Sequence, residues 1–96
     1  MESFNPFSLE GKIIIVTGAS SGIGQQCAID CSKMGATVIL IARNEERLRE
    51  TLSQMENQHQ HLMYSVDLCD LKDFSIIIKD IVAQKGKING LLNCAG

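Results

Sequence analysis

The chain has 96 residues, of which 45% are hydrophobic and 21% charged, a composition typical of one globular domain and not of a disordered or fibrous chain. Nine Lys and Arg and eleven Asp and Glu give a formal net charge of -2. The sequence lacks the net positive charge that attracts nucleic acid or an anionic membrane surface, and we expect neither as a partner.

The hydropathy and the cysteine pattern indicate the cellular compartment in which we expect the protein. Every apolar run is far shorter than the roughly 20 residues of a membrane-spanning helix. The first nine residues contain Glu2 and no Lys or Arg, which is the wrong charge pattern for a signal peptide. We therefore expect a cytoplasmic protein. In that reducing compartment we expect buried thiols rather than disulfides at the four cysteines, which are Cys27, Cys31, Cys69 and Cys94.

The first predicted elements are a strand and a helix. Residues 12–17 form a β-branched run that is typical of a strand buried on both faces, and a glycine-rich turn follows. Apolar residues at spacings of four, four and three then predict a helix that ends at Gly35. Its predicted buried face consists of Ile23, Cys27, Cys31 and Met34.

The next elements repeat this alternation. Residues 37–42 predict a second strand, and Asn44 is a favourable N-cap for a second helix. That helix is expected to bury Leu48, Leu52 and Met55. Residues 61–66 predict a third strand, in which apolar and other residues alternate.

The last elements are a helix and a strand. Asp70 is the expected N-cap of the third helix, Gly86 lies near its end, and a fourth strand begins near Ile88. The residues expected to share one face of the helix are Leu71, Phe74, Ile78, Ile81 and Val82.

The order β-α-β-α-β-α-β predicts an α/β fold with a Rossmann-like parallel sheet and right-handed crossovers. We expect strand order 3-2-1-4, with two helices on one face of the sheet, one on the other, and the fourth strand as a bare edge. Residues 1–96 would then form a single but partial domain, a truncated version of the doubly wound fold.

Residues 17–24, T-G-A-S-S-G-I-G, lie where the first strand passes into the first helix. In that context Gly18 permits a tight turn, Gly22 lets the backbone approach a pyrophosphate, and Gly24 allows close packing of helix and strand. The alternative is a purely structural turn with three incidental glycines. The turn lacks the Lys and the spacing of a P-loop, which disfavours a nucleoside triphosphatase.

The glycine turn has the T-G-x-x-x-G-x-G pattern of the short-chain dehydrogenase/reductase family. Residues 93–96, N-C-A-G, resemble that family's N-N-A-G segment, with Cys at the second position. The resemblance extends from about Leu9 to Gly96 and covers the cofactor-binding first half of a family member. It implies an NAD(P)-dependent oxidoreductase that transfers hydride between nicotinamide and a carbonyl or alcohol substrate. We expect that parent protein to be a homo-oligomer.

The resemblance also implies which residues bind the cofactor. From the glycine turn these are Gly18, Ser20, Ser21, Gly22, Ile23 and Gly24. Asp67 and Leu68 occupy the adenine-contacting position, and Asn93, Ala95 and Gly96 approach the adenosine ribose and the pyrophosphate. The alternatives are a strand-end cap for Asp67 and a sharp turn for residues 93–96.

The end of the second strand bears on cofactor choice, because an NAD site usually places an acidic side chain there. This chain has Ala42, followed by Arg43, whose guanidinium can make paired bonds to a 2′-phosphate. By the family resemblance, the hydroxyl group of Ser20 is a further donor to the same 2′-phosphate. NADP is therefore favoured over NAD. The alternative is that Arg43 is a solvated cation at the start of a helix.

Catalytic residues are not predicted within the chain. The family's chemistry uses a Tyr-x-x-x-Lys pair and a Ser, but the only tyrosine, Tyr64, has Leu68 four residues later. We also predict no metal site, because His59 and His61 lack further ligands at a suitable spacing. We therefore predict that the chain is the N-terminal, NADP-binding part of a reductase and that it is inactive when produced alone. The alternative is a self-contained, non-catalytic module that binds nucleotide or pairs strands.

Overall fold

The computed structural model describes residues 8–19, 22–66 and 71–94. Along the chain the elements are β1 (Ile13–Thr17), α1 (Gly22–Lys33), β2 (Thr37–Ala42), α2 (Glu45–Ser53), a 3-10 turn (Gln58–Gln60), β3 (Leu62–Ser65), α3 (Leu71–Lys85) and β4 (Gly90–Asn93). The predicted alternation of strands and helices is confirmed. None of the helices in these ranges is long and apolar enough to cross a membrane.

The four described strands form one parallel sheet in the order β3-β2-β1-β4, as predicted. In register, β1 pairs with β2 from Ile13↔Thr37 to Thr17↔Ile41 and with β4 from Ile14↔Gly90 to Thr17↔Asn93. Because the strands are parallel, the carboxyl ends of β1, β2 and β4 meet at the same edge of the sheet.

Alternate residues of the central strands face opposite layers of the core, as the two-residue period of a strand requires. On one side, Val16 and Leu40 pack with Ala28 of α1 and Leu48 of α2. The other side contains α3 and the cluster Ile13, Ile15, Ile39, Ile41, Ile77 and Ile81. Within the described residues, two helices thus cover one face and one helix covers the other, as predicted.

The predicted buried face of α1 is partly wrong. The exposed fraction is 75% for Ile23 and 39% for Met34, whereas Cys31 is buried. The buried residues of the helix are Gly24, Ala28, Ile29, Cys31 and Ser32. Small side chains at spacings of four and three residues bring α1 close to the sheet, so the contact stripe follows them instead of the larger Ile23 and Met34.

The predicted face of α3 is also partly wrong. Ile81 is fully buried, but the exposed fraction of Val82 is 43%, and Ile77, absent from the predicted face, is buried. Phe74 and Ile78 are half-buried, and the side chain of Leu71 lies outside the described residues, as does Asp70. Since a single described helix covers this face, the buried stripe is narrow and Val82 falls at its margin.

Two predicted strands begin later than expected. The backbone N–H of His61 donates to Gln58 O within the 3-10 turn, so β3 pairing starts at Leu62. Asn89 donates its backbone N–H to Ile13 O and accepts from Ile13 N through its side-chain oxygen at 2.8 Å. That side-chain bond replaces ladder pairing, and β4 therefore begins at Gly90 and not near Ile88.

The predicted C-terminal end of α1 at Gly35 and the predicted N-cap of α2 at Asn44 are both confirmed. Gly35 has a φ of +98°, which a residue with a Cβ rarely adopts. Asn44 Oδ1 accepts from the backbone N–H of Arg47 at 3.1 Å, which is the N-cap bond of α2. Leu48 and Met55 are buried, and Leu52 is half-buried.

Candidate functional site

The glycine turn lies at the carboxyl edge of the sheet. It leaves β1, whose neighbours β2 and β4 are reached by connections on opposite sides, and it leads into α1. This is the topological switch point at which open α/β sheets bind ligands. The start of α1 lies at this point, and the positive dipole end of a helix favours an anion.

The turn itself is held to β2. Gly18 has a φ of +69°, and the backbone N–H groups of Gly18 and Ala19 donate to Ile41 O at 2.8 and 3.3 Å. A Cβ built at Gly22 meets no atom within 4 Å, so packing of the described residues does not require glycine there. The space beside Gly22 at the start of α1 is therefore open.

A side-chain hydrogen bond joins the ends of β1 and β4. Thr17 Oγ1 donates to Asn93 Oδ1 at 2.8 Å, and the backbone N–H of Cys94 donates to Thr17 O at 3.0 Å. The sequence motifs at Thr17 and Asn93 are therefore in direct contact. Thr17 was absent from the predicted site, although its position as the first residue of the glycine motif was a usable signal.

A second threonine connects the glycine turn to α2. Thr51 is fully buried, and its hydroxyl oxygen lies 3.0 Å from Ala19 O and 3.1 Å from Arg47 O, so its single proton is shared between the two carbonyl acceptors. A buried carbonyl such as that of Ala19 requires a partner, and Thr51 supplies it from the neighbouring helix. No local sequence pattern pointed to this contact.

Arg43 follows β2 at the same edge and is exposed. Its backbone carbonyl accepts a 3.0 Å hydrogen bond from Ser65 Oγ. The ion pair recorded among the described residues joins Arg49 to Glu45 at 3.2 Å on α2, and it leaves Arg43 uninvolved. Among the described residues, Arg43 is thus an exposed cation at the carboxyl edge that takes no part in an ion pair.

The structure brings half of the predicted cofactor-binding residues to one edge. They are Gly18, Gly22, Ile23, Gly24, Arg43 and Asn93. The remaining predictions fall on Ser20, Ser21, Asp67, Leu68, Ala95 and Gly96, which lie outside the described residues. The exposure of Ile23 is compatible with its place in the predicted site, although it contradicts its predicted place in the core.

Tyr64 is unsuited to catalysis at this edge. It packs on the α3 side of the sheet, and its hydroxyl group donates to Asp80. Burial and the hydrogen bond to Asp80 raise the pKa of Tyr64 to about 12. A tyrosine that serves as a general acid or base near neutral pH needs a lowered pKa, which is the opposite shift.

The predicted burial of the cysteines holds only in part. Cys31 is buried, whereas Cys27 and Cys94 are half-buried, and all three are free thiols; Cys69 lies outside the described residues. Burial raises the pKa of the Cys31 thiol. Burial and a hydrogen bond with the Cys27 thiol raise the pKa of Cys94.

A separate groove of about 400 Å³ opens at the opposite end of the sheet, near the amino ends of β1 and β2. Its lining includes Glu10, Lys33, Asn57 and Gln60. It contains none of the predicted site residues. Within the described residues there is also no group of three or more His, Cys, Asp or Glu side chains arranged to hold a metal ion.

The family model for short chain dehydrogenases matches residues 12–96. The chain belongs to this family. It is 38% identical to 3-ketodihydrosphingosine reductase of Bos taurus over 97 residues, covering 95% of this chain and 29% of that protein. It is also 38% identical to the uncharacterized oxidoreductase YciK of Escherichia coli strain K12 over 92 residues, covering 92% of this chain and 36% of that protein.

Solved structures agree with this assignment. A putative short chain dehydrogenase from Escherichia coli CFT073 superposes with a TM-score of 0.85 at 37% identity, covering 98% of this chain and 43% of that one. An oxidoreductase, yciK, from Escherichia coli gives a TM-score of 0.84 at 34% identity, with 98% and 40% covered. The Rossmann-like fold predicted from the sequence is therefore confirmed.

The chain spans 29% to 43% of the length of these relatives and corresponds to their N-terminal portion. Short-chain dehydrogenases bind a nicotinamide dinucleotide and act on small molecules. The relatives are oxidoreductases, and these matches give no support to the alternative of a self-contained, non-catalytic module.

Proposed function

We propose that this chain is the cofactor-binding part of an NADP(H)-dependent oxidoreductase that transfers hydride between the nicotinamide and a carbonyl or alcohol substrate. The observation that carries the proposal is the glycine turn between β1 and α1, which lies at the switch point and has open space at Gly22. When bound, the cofactor supplies or accepts the hydride. The described residues hold the cofactor and do not perform the proton transfer.

The pyrophosphate is assigned to the start of α1. Gly22 allows close approach of the backbone, and the N–H groups and positive dipole end of the helix stabilise the negative charge. Ser21 of the turn is assigned to the cofactor together with the glycines, and Ser20 is assigned, with Arg43, to the 2′-phosphate that distinguishes NADP from NAD. Ile23 would lose much of its exposed surface to the bound cofactor, which supplies a reason for an exposed isoleucine beside the turn.

The adenosine is assigned to the crevice at the carboxyl edge of the sheet. The ends of β2 and β3 lie on one side of this crevice, and the end of β4 lies on the other. Asp67 and Leu68 are assigned to the adenine, and Asn93, Ala95 and Gly96 to the ribose and pyrophosphate. The hydrogen bond from Thr17 to Asn93 supports this assignment, because it fixes the end of β4 against the glycine turn.

Arg43 is assigned to the 2′-phosphate that distinguishes NADP from NAD. It is exposed at the end of β2, and Ala42 supplies no carboxylate that would repel the phosphate. Glu45, the next acidic residue along the chain, is paired with Arg49. A guanidinium forms charge-assisted, paired hydrogen bonds with phosphate, which makes arginine well suited to this discrimination.

Dissociation constants for NADPH and NADH, measured on the complete gene product and on its Arg43→Asp variant, test the proposal. We expect tighter NADPH binding by the unsubstituted protein, by about tenfold or more, because a charge-assisted hydrogen bond contributes about 1.5–3 kcal/mol. The variant places a carboxylate beside the phosphate and is expected to erase or reverse the preference. An unchanged ratio would remove Arg43 from the site and leave it as a solvated surface cation.

A further inference from the structure

The polypeptide around Arg43 is held by β3 beyond the last pair of the β2–β3 ladder. That last pair is Ala42↔Ser65. Next to it, the backbone N–H of Val66 donates to Ala42 O at 2.9 Å, and Ser65 Oγ donates to Arg43 O at 3.0 Å. The Ser65 hydroxyl group therefore extends the pairing by one residue, at a point where the backbone of β2 has already left the sheet.

The other side of Arg43 is held by α2. Asn44 has an extended backbone, with φ −94° and ψ 103°, and its side-chain oxygen accepts from Arg47 N at 3.1 Å. Consecutive backbone segments are thus fixed by different partners, β3 on one side and the first turn of α2 on the other. The Arg43 backbone lies between these two restraints.

The side chain of Arg43 is long and exposed, and the position of its backbone sets the point from which the guanidinium reaches a ligand. Paired hydrogen bonds to a phosphate require a specific distance and orientation. The Ser65 hydroxyl group is the described side-chain donor that holds the Arg43 carbonyl, and it reaches that carbonyl from a different strand.

We propose that Ser65 is a positioning residue for cofactor discrimination, whose hydrogen bond to the Arg43 carbonyl places the guanidinium for the 2′-phosphate. This inference rests on the proposed role of Arg43 and adds a residue that does not itself touch the cofactor. It predicts that the Ser65 hydroxyl group affects NADPH binding and leaves NADH binding nearly unchanged.

The first test compares Ser65→Ala, Ser65→Thr and a control in the complete gene product. We expect Ser65→Ala to raise the Kd for NADPH by about three- to tenfold, the effect of one neutral hydrogen bond, with less than about twofold change for NADH. Ser65→Thr retains the hydroxyl group in a residue that strands favour, and it is expected to restore binding. Ser53→Ala is the matched control, because the exposed Ser53 hydroxyl group also donates to a backbone carbonyl, that of Glu50 at 2.6 Å.

The second test repeats Ser65→Ala in an Arg43→Gln background. If Ser65 acts through Arg43, its removal there adds no further loss of NADPH affinity. A loss of NADPH affinity that persists in this background would indicate that Ser65 contacts the cofactor directly. Equal losses of NADPH and NADH affinity in Ser65→Ala would indicate a merely structural role. Either result overturns the positioning role. If Arg43→Gln shifts the NADPH/NADH ratio and Ser65→Ala does not, only the role of Ser65 falls. If Arg43→Gln leaves the ratio unchanged, the proposed role of Arg43 falls and that of Ser65 with it.

Discussion

The backbone N–H of Val38 donates a 2.9 Å hydrogen bond to Nδ1 of His61. A backbone N–H cannot accept a hydrogen bond, so Nδ1 is unprotonated and Nε2 carries the proton, which it donates to Glu56 O at 2.7 Å. His61 is therefore a neutral, buried residue that joins the start of β2 to the segment before β3. The two histidines considered as metal ligands thus differ, because both ring nitrogens of His61 are already bonded within the protein.

This arrangement predicts a pH dependence of stability. Burial lowers the pKa of His61 from its ordinary value of 6.5, and a proton on Nδ1 would break the bond from Val38. The unfolded chain binds the proton more readily, so stability is full above about pH 6.5 and is lost as the pH falls from there to the folded-state pKa.

The pH effect can be measured by urea unfolding of the complete gene product at pH 7.5 and at pH 5.5. We expect His61→Gln to reduce the difference in unfolding free energy between the two pH values, relative to the unsubstituted protein. His59→Gln is the control, since His59 is exposed and two residues away. An unaltered difference in His61→Gln would assign the pH dependence to other groups.

Thr51→Val tests the connection between α2 and the glycine turn. The substitution keeps the side-chain volume but leaves the Ala19 carbonyl without its buried donor, so we expect a loss of about 1–3 kcal/mol in unfolding free energy. Thr51→Ser retains the hydroxyl group and should lose less. Thermal or urea unfolding measures both variants, and a larger loss in Thr51→Ser than in Thr51→Val would show that packing of the methyl group, not the hydrogen bond, matters.

Gly22→Val is expected to affect nucleotide binding, whereas Gly35→Ala is expected to affect the stability of the fold. The open space at Gly22 accommodates a side chain in the fold, but that side chain would occupy the assigned pyrophosphate position and abolish nucleotide binding. At Gly35, a Cβ would lie 3.2 Å from the Glu10 Cα and the φ is +98°, so we expect a stability loss of about 1–3 kcal/mol.

Unfolding curves and dinucleotide titration of both glycine variants separate the two effects. Gly35→Ala is expected to bind dinucleotide normally wherever it is folded, because Gly35 lies at the far end of α1. Retained affinity in folded Gly22→Val would contradict the assignment of the glycine turn to the pyrophosphate.

Residues 1–96 produced alone are expected to self-associate and to show no turnover. Leu91 and Leu92 are 53% and 39% exposed on β4, which pairs with β1 and has no second partner among the described strands. The chain also lacks a Tyr-x-x-x-Lys pair, and general acid–base catalysis contributes about 10² to 10⁴ in rate.

Sedimentation velocity and an assay of NADPH oxidation with carbonyl substrates check both expectations. Leu91→Lys is a useful comparison, because a charged residue on an edge strand should reduce association. A stable monomer of the unsubstituted chain would favour the self-contained module, and measurable turnover would show that the proton-transfer groups lie within it.

The sequence by itself determined the order of elements, the strand order, the glycine turn and the helix ends at Gly35 and Asn44. These features depend on interactions within a few residues or on general rules of parallel sheets: a β-branched run, a cap three residues from its donor, a glycine at positive φ. The family motifs added an expected role for each residue of the turn.

Only the tertiary structure decided which side chains α1 buries and which distant partners secure the site. The exposure of Ile23 follows from the close approach of α1 to the sheet, which its apolar spacing did not reveal. The bonds from Thr51 to Ala19 and from Ser65 to Arg43 join residues 32 and 22 positions apart. Such contacts depend on how separate elements pack, and the positions of serine and threonine along the chain do not indicate which distant carbonyl each hydroxyl group will bind.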